Sequence, residues 1–307
     1  MNNNRPVLVS GAHRSGTTWV GKMLAADADT AYLSEPLNVL HRPGVFRAPV
    51  KHWYTYINNE NESEYLPAFR ELLNFQYHTW LEIKSVRSRR DFLRMGRDFH
   101  TFFTGSMRGQ RALLKDPFAV FSTPWFLRKL NCQVVITVRH PAGFASSLKR
   151  LGWNFDFHNL LDQPLLMRDH LEKDRADMQS ARPDDIVSQA ALLWKFIYRF
   201  VHQTSSLFPE FNIVRHEDLS LDPIAGYKKM YASLGLTFSE KVRQIIVNSS
   251  SSENPAKLAR NKTYSVKLDS RASLDNWKKI LTADEITRTR KLTEGVSQYF
   301  YSDDEWK

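Results

Sequence analysis

The chain has 307 residues, of which 42% are hydrophobic, so it can bury the core of one large α/β domain or of two smaller ones. Its one cysteine, Cys132, excludes an internal disulfide framework and a zinc site built from several cysteines. The formal net charge of +10 calls for an anionic partner, which leaves nucleic acid, an anionic glycan and an anionic nucleotide to be distinguished.

The first six residues do not have the pattern of a secretory signal, which would begin with a cationic region and continue with an apolar core. There is also no run of 18 consecutive apolar residues that could form a transmembrane helix. We therefore expect a cytoplasmic protein without a transmembrane segment.

A short apolar strand then leads into a glycine-bounded turn and a helix that begins at Thr17. Such a turn directs backbone N–H groups and a helix N-terminus at one point, which suits a phosphate or a sulfate. Gly11 and Gly16 have the spacing of the P-loop motif, but Thr17 stands in the place of its lysine and the basic residue is Arg14, inside the turn. The turn predicts a site for a nucleotide whose 5′ end differs from a triphosphate. A plain strand–turn–helix connection is the alternative.

The rest of the chain alternates between strand and helix patterns, which favours an α/β fold with a parallel sheet. Strands are predicted near 6–10, 31–34, 111–115, 133–138 and 211–215. Helices are predicted near 17–26, 121–130, 141–150, 185–207, 223–234, 239–248 and 282–299. Two insertions interrupt this order, an aromatic-rich one at about 40–110 that we expect to be helical and a second at 151–184. Insertions at the carboxyl ends of strands usually form the substrate side of such sheets.

The first insertion carries the densest group of basic residues, which are Lys84, Arg87, Arg89, Arg90, Arg94 and Arg97. The spacing 87, 90, 94, 97 would align four of them on one helix face. A solvated helix face is the simplest interpretation, and a patch for an anionic substrate or a membrane surface is the alternative. No recognised nucleic-acid motif accompanies the group, so we do not expect a nucleic-acid partner.

A second anion site is predicted after the β-branched run at 133–138, which has the pattern of a strand buried on both faces. Arg139 ends this strand, and Pro141 suits the first turn of the next helix, which carries Ser147. Arg139 and Ser147 can converge on one anion; an ion pair and an ordinary helix residue are the alternatives. Together with the first turn, they suggest a nucleotide with phosphates at two separate places.

Five segments in order resemble those of sulfotransferases that use 3′-phosphoadenosine 5′-phosphosulfate (PAPS). The turn at 10–19 resembles their 5′-phosphosulfate loop, and the pair Arg139 and Ser147 resembles their 3′-phosphate site. The other three are Ser34-Glu35-Pro36, the strand end at 214–219 and the Trp-containing element at 274–281. The resemblance spans about 5–295. It implies a P-loop-type parallel sheet flanked by helices, in a single domain over 1–307 whose helical insertions form the acceptor side.

The resemblance also implies roles for individual residues. The 5′-phosphosulfate site would consist of Arg14, backbone groups of Ser15 and Gly16 and the hydroxyls of Thr17 and Thr18, with Trp19 beside them. In the family, the segment that matches 249–269 and the element after it fold over the nucleotide, which makes Lys262, Arg271 and Trp277 candidate contacts. At His216 the family usually has a tyrosine.

Catalytic roles are implied for Arg14, which with Lys115 would meet the charge of the sulfuryl group, and for residues at two strand ends. Lys115 matches a strand-end lysine that approaches the sulfuryl group in relatives, although it could instead pair with Asp116. Relatives that act on phenols and steroids have a histidine where this chain has Asp116. The resemblance is instead to carbohydrate-type enzymes, in which the glutamate of the Glu-Pro segment, here Glu35, is the proposed base. A partly apolar cleft would raise its pKa into a useful range. A structural loop carboxylate is the alternative role, and His13 and His41 are lesser candidates for the base.

The predicted reaction is transfer of a sulfuryl group from PAPS to a hydroxyl of a carbohydrate or glycolipid, by in-line attack and without a metal. A small-molecule alcohol remains open as the acceptor, and peripheral contact with a membrane is compatible with the charge. Two other classes of protein remain as alternatives. One is a P-loop NTP-dependent kinase, which the missing lysine disfavours, and the other is a basic binding module without catalysis.

Overall fold

The computed structural model describes residues 5–256 and 265–307. Within them, five parallel strands form one sheet in the order β2-β3-β1-β4-β5. The strands are β1 (Val7–Gly11), β2 (Thr30–Ser34), β3 (Arg111–Lys115), β4 (Gln133–Val138) and β5 (Asn212–Arg215). The predicted α/β fold, a P-loop-type sheet flanked by helices, is confirmed.

Helices connect the strands and cover both faces of the sheet. The first half of the chain contains α1 (Thr17–Leu24), α2 (Glu62–Leu73), α3 (Thr79–Ser85), α4 (Arg89–Arg108), α5 (Thr123–Leu130) and α6 (Pro141–Leu151). The second half contains α7 (His158–Leu161), α8 (Pro164–Leu166), α9 (Arg175–Gln179), α10 (Ile186–Leu207), α11 (His216–Leu221), α12 (Pro223–Leu234), α13 (Glu240–Ser250) and α14 (Ala283–Ser297). Shorter 3₁₀ turns lie at Pro117–Ser122, Glu172–Asp174, Leu274–Lys279 and Asp303–Trp306, and a π turn lies at Met167–Leu171.

The sheet separates two hydrophobic clusters because successive side chains of a strand point to opposite faces. On one face, Leu8 and Val134 join the larger cluster, which α10 completes. On the other face, Val7 and Val135 pack with the residues of α1, α12 and α13. Burial on both faces explains the continuous apolar runs of the central strands, which made their positions predictable.

The insertion between β2 and β3 is helical, as the sequence predicts, and contains α2, α3 and α4. The predicted alignment of four arginines is wrong in one position, because Arg87 precedes α4. The helix begins at Arg89, after the N-cap Ser88, whose side chain accepts a hydrogen bond from the backbone N–H of Asp91. The Arg87 guanidinium donates instead to the carbonyls of Lys84 and Val86.

The second insertion folds into the short helices α7, α8 and α9 before α10 begins. Across the described part of the chain, every helix is too short or too polar to cross a bilayer. The single-domain organisation and the cytoplasmic location stay predictions.

Candidate functional site

The two predicted anion-binding turns lie side by side at the carboxyl edge of the sheet. β1 and β4 are parallel neighbours, and Gly11 is in register with Thr137, so both strands end at the same level. Arg139 Nη1 donates to the carbonyl oxygen of Arg14 at 3.1 Å, and Arg14 Nε donates to Ser147 Oγ at 3.1 Å. The structure therefore brings together the residues that the sequence assigns to opposite ends of one nucleotide.

Buried hydrogen bonds hold the first turn in its shape. Ser15 is buried, and its hydroxyl donates to the carbonyl of Ala12 at 2.5 Å and contacts Thr137 Oγ1 at 2.7 Å. The backbone N–H of Ala12 donates to the Tyr198 hydroxyl, which in turn donates to the carbonyl of Thr137. The side chain of Ser15 is thus committed to the turn, which agrees with its predicted contribution through backbone groups.

A cavity of about 370 Å³ opens at this edge. Its wall includes the predicted residues Arg14, Gly16, Thr17, Thr18, Trp19, Arg139 and Ser147. The other walls come from α11, α13 and the segment 265–280. Because α1 begins at Thr17, its first N–H groups have no partner within the helix, and they lie at the cavity. This combination of a helix N-terminus and arginines suits phosphate or sulfate groups.

Three arginines at this cavity interact unfavourably with one another. Burial, together with the nearby charges of Arg139 and Arg150, lowers the pKa of Arg14 to about 10. Burial also lowers the pKa of Arg139, and the carboxylate of Glu217 opposes this shift. Arg150 Nη2 is buried and has no hydrogen-bond partner among the described residues. Clustered buried cations are costly unless an anion compensates them, so the cavity is suited to a ligand with several negative charges.

Arg150 and His216 are among the cavity residues that were not predicted from the sequence. Arg150 lies three residues after Ser147 on α6, a spacing that puts both side chains on one face and could have identified it. His216 packs beside the first turn, where a Cβ on Gly16 would lie 2.8 Å from its Nδ1. Within the described residues Nδ1 has no hydrogen-bond partner, and burial lowers the pKa of His216 to about 3, so the ring is neutral.

The predicted catalytic pair forms at the ends of β2 and β3, on the opposite side of β1 from β4 and the strand-end Arg139. Lys115 is in register with Ser34, and its buried ammonium group donates to Glu35 Oε1. Asn38 Nδ2 donates to Glu35 Oε2 at 2.7 Å. Lys115 therefore pairs with Glu35 rather than with Asp116, and both carboxylate oxygens of Glu35 have polar partners.

The backbone at Glu35 is unusual. Its φ of 53° lies in the left-handed region, which residues with a side chain rarely adopt, and its N–H donates to the carbonyl of Lys115 at 2.8 Å. Such strain is retained where the surrounding structure fixes it, and it is common at functional sites. The strained turn directs the carboxylate back onto the end of β3.

Asp116 holds the segment Ser34-Glu35-Pro36 in place through hydrogen bonds to the backbone. Its Oδ2 accepts from the backbone N–H of Leu37 at 2.6 Å, and its Oδ1 accepts from that of Phe118 at 3.0 Å. Burial raises the pKa of Asp116 to about 7, and the nearby Glu35 adds to this effect. Asp116 thus has a structural position, beneath the segment that carries Glu35.

The lesser candidates for a base are engaged elsewhere. His13 Nδ1 lies 2.5 Å from the Tyr54 hydroxyl, and burial lowers the pKa of His13 to about 3. The Nδ1 of His41 lies 2.9 Å from the carbonyl oxygen of Asn38, and burial lowers its pKa as well.

Comparison with known proteins decides the family. The family model for the sulfotransferase domain matches residues 4–300, nearly the whole chain. The chain belongs to the sulfotransferase family. It is a PAPS-dependent enzyme that transfers sulfuryl groups. None of the curated proteins matches this sulfotransferase at the significance required.

Several solved structures are similar to the chain at low sequence identity. The sulfotransferase domain from the Synechococcus PCC 7002 olefin synthase is 17% identical, with 97% of this chain and 94% of that chain covered and a TM-score of 0.45. Mouse sulfotransferase SULT7A1 complexed with PAP is 12% identical, with 98% and 87% covered and a TM-score of 0.49. Sulfotransferase STF9 from Mycobacterium avium is 14% identical, with 96% and 76% covered and a TM-score of 0.47.

Two predicted nucleotide contacts of this sulfotransferase, Arg271 and Trp277, are not brought into the cavity wall. The Arg271 guanidinium donates to the carbonyl of Leu221 at 2.6 and 2.9 Å. Trp277 is buried and stacks on His140, with ring centroids 5.2 Å apart. Lys262 lies outside the described residues. In residues 5–256 and 265–307, no group of three or more His, Cys, Asp or Glu is placed to hold a metal ion, and the predicted absence of a metal stays a prediction.

Proposed function

We propose that this enzyme transfers the sulfuryl group of PAPS to a hydroxyl of a carbohydrate or glycolipid, with Glu35 as the base. The observation that carries the proposal is the hydrogen-bonded pair of Glu35 and Lys115 at the strand ends, on the same edge of the sheet as the arginine-lined cavity. In-line transfer needs a base for the acceptor and cations for the departing group, and the sheet holds both kinds of residue at one edge.

At the donor, we assign the 3′-phosphate to Arg139, Ser147 and Arg150. The assignment is supported by their common position at the cavity and by the unpartnered, buried Nη2 of Arg150. The 5′ end is assigned to Arg14 and the N-terminus of α1, where backbone N–H groups can bind several oxygens at once. Arg14 can grip two oxygens, which suits it to the position inside the turn.

At the acceptor, Glu35 takes the proton of the attacking hydroxyl. The bound PAPS supplies the activated sulfuryl group, and negative charge accumulates on the phosphate oxygen that departs. Lys115 donates to Glu35 and, at the end of β3, is a cation near the transferred group. Asn38 holds the second carboxylate oxygen, so the carboxyl plane is fixed before the acceptor arrives.

The carbohydrate-type assignment rests on which carboxylate a hydroxyl can reach, because Asp116 is fully buried. Asp116 stands where phenol-type relatives have histidine, and both of its oxygens accept buried backbone N–H groups. Glu35 is 29% exposed at the side chain, so a hydroxyl can reach it. A small-molecule alcohol remains the alternative acceptor.

The test is transfer of labelled sulfate from PAPS to a panel of glycans, glycolipids, simple alcohols and phenols. We expect label in sulfate esters of the glycan or glycolipid members. Label in the phenols or simple alcohols alone would contradict the acceptor assignment.

The role of the base is tested separately with Glu35→Gln. We expect kcat to fall by about 10²- to 10⁴-fold while the affinity for adenosine 3′,5′-bisphosphate (PAP) stays unchanged. Glu64→Gln, at an exposed glutamate of α2, is the matched control and should retain full activity. An unchanged kcat in Glu35→Gln would remove Glu35 from the mechanism.

A further inference from the structure

Helices α3 and α4 expose large apolar side chains to solvent. Trp80 on α3 is 78% exposed, and Phe92, Leu93 and Met107 on α4 are 61%, 72% and 70% exposed. We call the exposed side chains of Thr79–Ser85 and Arg89–Arg108 the α3–α4 surface. Exposed aromatic and aliphatic groups at this density usually mark an interaction site.

The apolar residues of α4 form an ordered stripe. Phe92, Phe99, Phe103 and Met107 follow one another at intervals of seven, four and four, which places them on one side of an α-helix. The rings of Phe99 and Phe103 stack, with centroids 6.1 Å apart. This stripe adjoins the side that α4 buries, where Phe102 packs against Phe75 and Tyr77, and Phe99 touches the edge of the same Tyr77 ring.

Basic side chains accompany the stripe. Between residues 79 and 108, Lys and Arg outnumber Asp and Glu by seven to three. Arg94 and Arg97 are 58% and 73% exposed at the side chain. The three acidic residues are engaged locally: Glu82 is buried and accepts from the N–H of Gly44, and Asp98 pairs with Arg42 and lies 3.6 Å from Arg97. Asp91 accepts from the Ser88 hydroxyl and lies 3.8 Å from Arg94, so four positive charges remain in excess. The α3–α4 surface is therefore both apolar and positively charged.

We propose that the α3–α4 surface docks on an anionic lipid bilayer. The apolar stripe enters the boundary between headgroups and acyl chains, and the flanking arginines bind lipid phosphates. Charge complementarity selects this occupant. A two-fold contact between copies of the chain would bring the same arginines together, and a nucleic acid would leave the apolar stripe without a partner.

The surface is connected to the segment that carries Glu35. Arg42 pairs with Asp98 on α4, and its Nη2 donates to the carbonyl of Arg94 at 3.5 Å. Leu40, in the loop between Glu35 and Arg42, is 80% exposed. Docking would therefore hold the acceptor side near the headgroups. The inference that the acceptor is a lipid-borne sugar rests on the proposed function, whereas docking itself does not.

The experiment measures sedimentation with vesicles of phosphatidylcholine alone and of phosphatidylcholine with phosphatidylglycerol. We expect binding to the anionic vesicles alone, with an affinity that falls as salt rises. Arg90→Gln with Arg97→Gln should weaken binding by about 30-fold, since each basic residue near the surface contributes about 1 kcal/mol. Phe99→Gln with Phe103→Gln should also weaken vesicle binding, because it removes two apolar side chains that enter the bilayer. Binding of PAP by each variant verifies that it is folded.

Lys228→Gln with Lys229→Gln removes the same charge from exposed positions on α12 and is the matched control. Equal losses in the control and the α4 variants would overturn the proposal, as would failure of the wild type to bind anionic vesicles. Concentration-dependent self-association, or DNA binding in its place, would assign the surface to another occupant. Vesicle binding without sulfate transfer to any lipid-borne sugar would reject the acceptor assignment and leave docking standing.

Discussion

The arginines of the nucleotide cavity and those of the α3–α4 surface are the same residue type in opposite environments. Arg139 is half-buried behind the first turn and donates to the carbonyl of Arg14. Arg97 is 73% exposed at the side chain. A buried cation has a fixed position and needs a specific anion, whereas exposed cations act together through charge density and are screened by salt. The nucleotide cavity therefore depends on the exact positions of its arginines, whereas the α3–α4 surface depends on how many arginines it exposes.

The largest effect is expected for Gly16→Ala, in the buried region. Gly16 has a φ of 99°, and a Cβ there would lie 2.8 Å from Nδ1 of the buried His216. The substitution therefore strains the turn and displaces the histidine ring. We expect the affinity for PAP to fall more than about 100-fold, measured by calorimetry. Affinity within threefold of the wild type would show that the turn does not need this close approach.

Arg139→Ala tests whether the two turns hold different phosphates. Loss of a charged hydrogen-bond donor should weaken binding of PAP by about 10- to 100-fold. Adenosine 5′-phosphate lacks the 3′-phosphate and should lose much less. Titration calorimetry with both nucleotides gives the comparison, and equal losses would contradict the 3′ assignment.

His140→Phe tests the cost of burying histidine near the cavity. His140 lies between Trp277, Tyr301 and Trp306, and neither ring nitrogen has a hydrogen-bond partner among the described residues. Burial lowers its pKa to about 3 in the folded state, whereas the unfolded chain titrates near 6.5. Below pH 6.5 the unfolded state therefore binds more protons, and the free energy of unfolding falls by up to about 1.4 kcal/mol per pH unit.

Phenylalanine removes this contribution, so the loss of stability between pH 8 and pH 5 should be smaller by about 2 kcal/mol in the variant. Urea unfolding at the two pH values measures the difference. His100→Gln, at an exposed position on α4, should leave the loss unchanged. The same loss in His140→Phe and the wild type would show that His140 titrates normally.

The smallest effect is expected for Gly96→Ala, the same substitution as at Gly16 but on the exposed helix. No atom lies within 4 Å of the added Cβ, so the change should stabilise α4 by about 0.5–1 kcal/mol. PAP affinity should not change. Destabilisation by Gly96→Ala would mean that another group occupies the space beside Gly96 and that α4 is not exposed there.

The central strands β1 and β4 were predictable because they are buried on both faces and carry β-branched residues. The run at 133–138 is β4, and the predicted start at 141 is the start of α6. The two anion-binding turns follow directly from these strands, so their residues could be named from spacing. Their convergence follows from the parallel pairing of β1 with β4.

The remaining features depend on contacts between distant parts of the chain. The pairing of Lys115 with Glu35 requires β2 beside β3, across an intervening insertion. Arg271 could not be placed, because its partner is the carbonyl of Leu221, which no sequence pattern marks. The exposure of Phe99 and Phe103 could not be predicted either. A helical hydrophobic period predicts a buried stripe, but it does not show whether another part of the chain covers that side of the helix.

The Tyr198 hydroxyl bridges the backbone N–H of Ala12 and the carbonyl of Thr137. Because this phenol belongs to the core helix α10, the interior of the protein sets the distance between the two phosphate-binding turns. The facing wall, residues 265–280, is attached by other contacts: Trp277 stacks on His140, and the Lys149 ammonium donates to the carbonyl of Ile280. The spacing of the two turns is therefore fixed by α10 rather than by that wall.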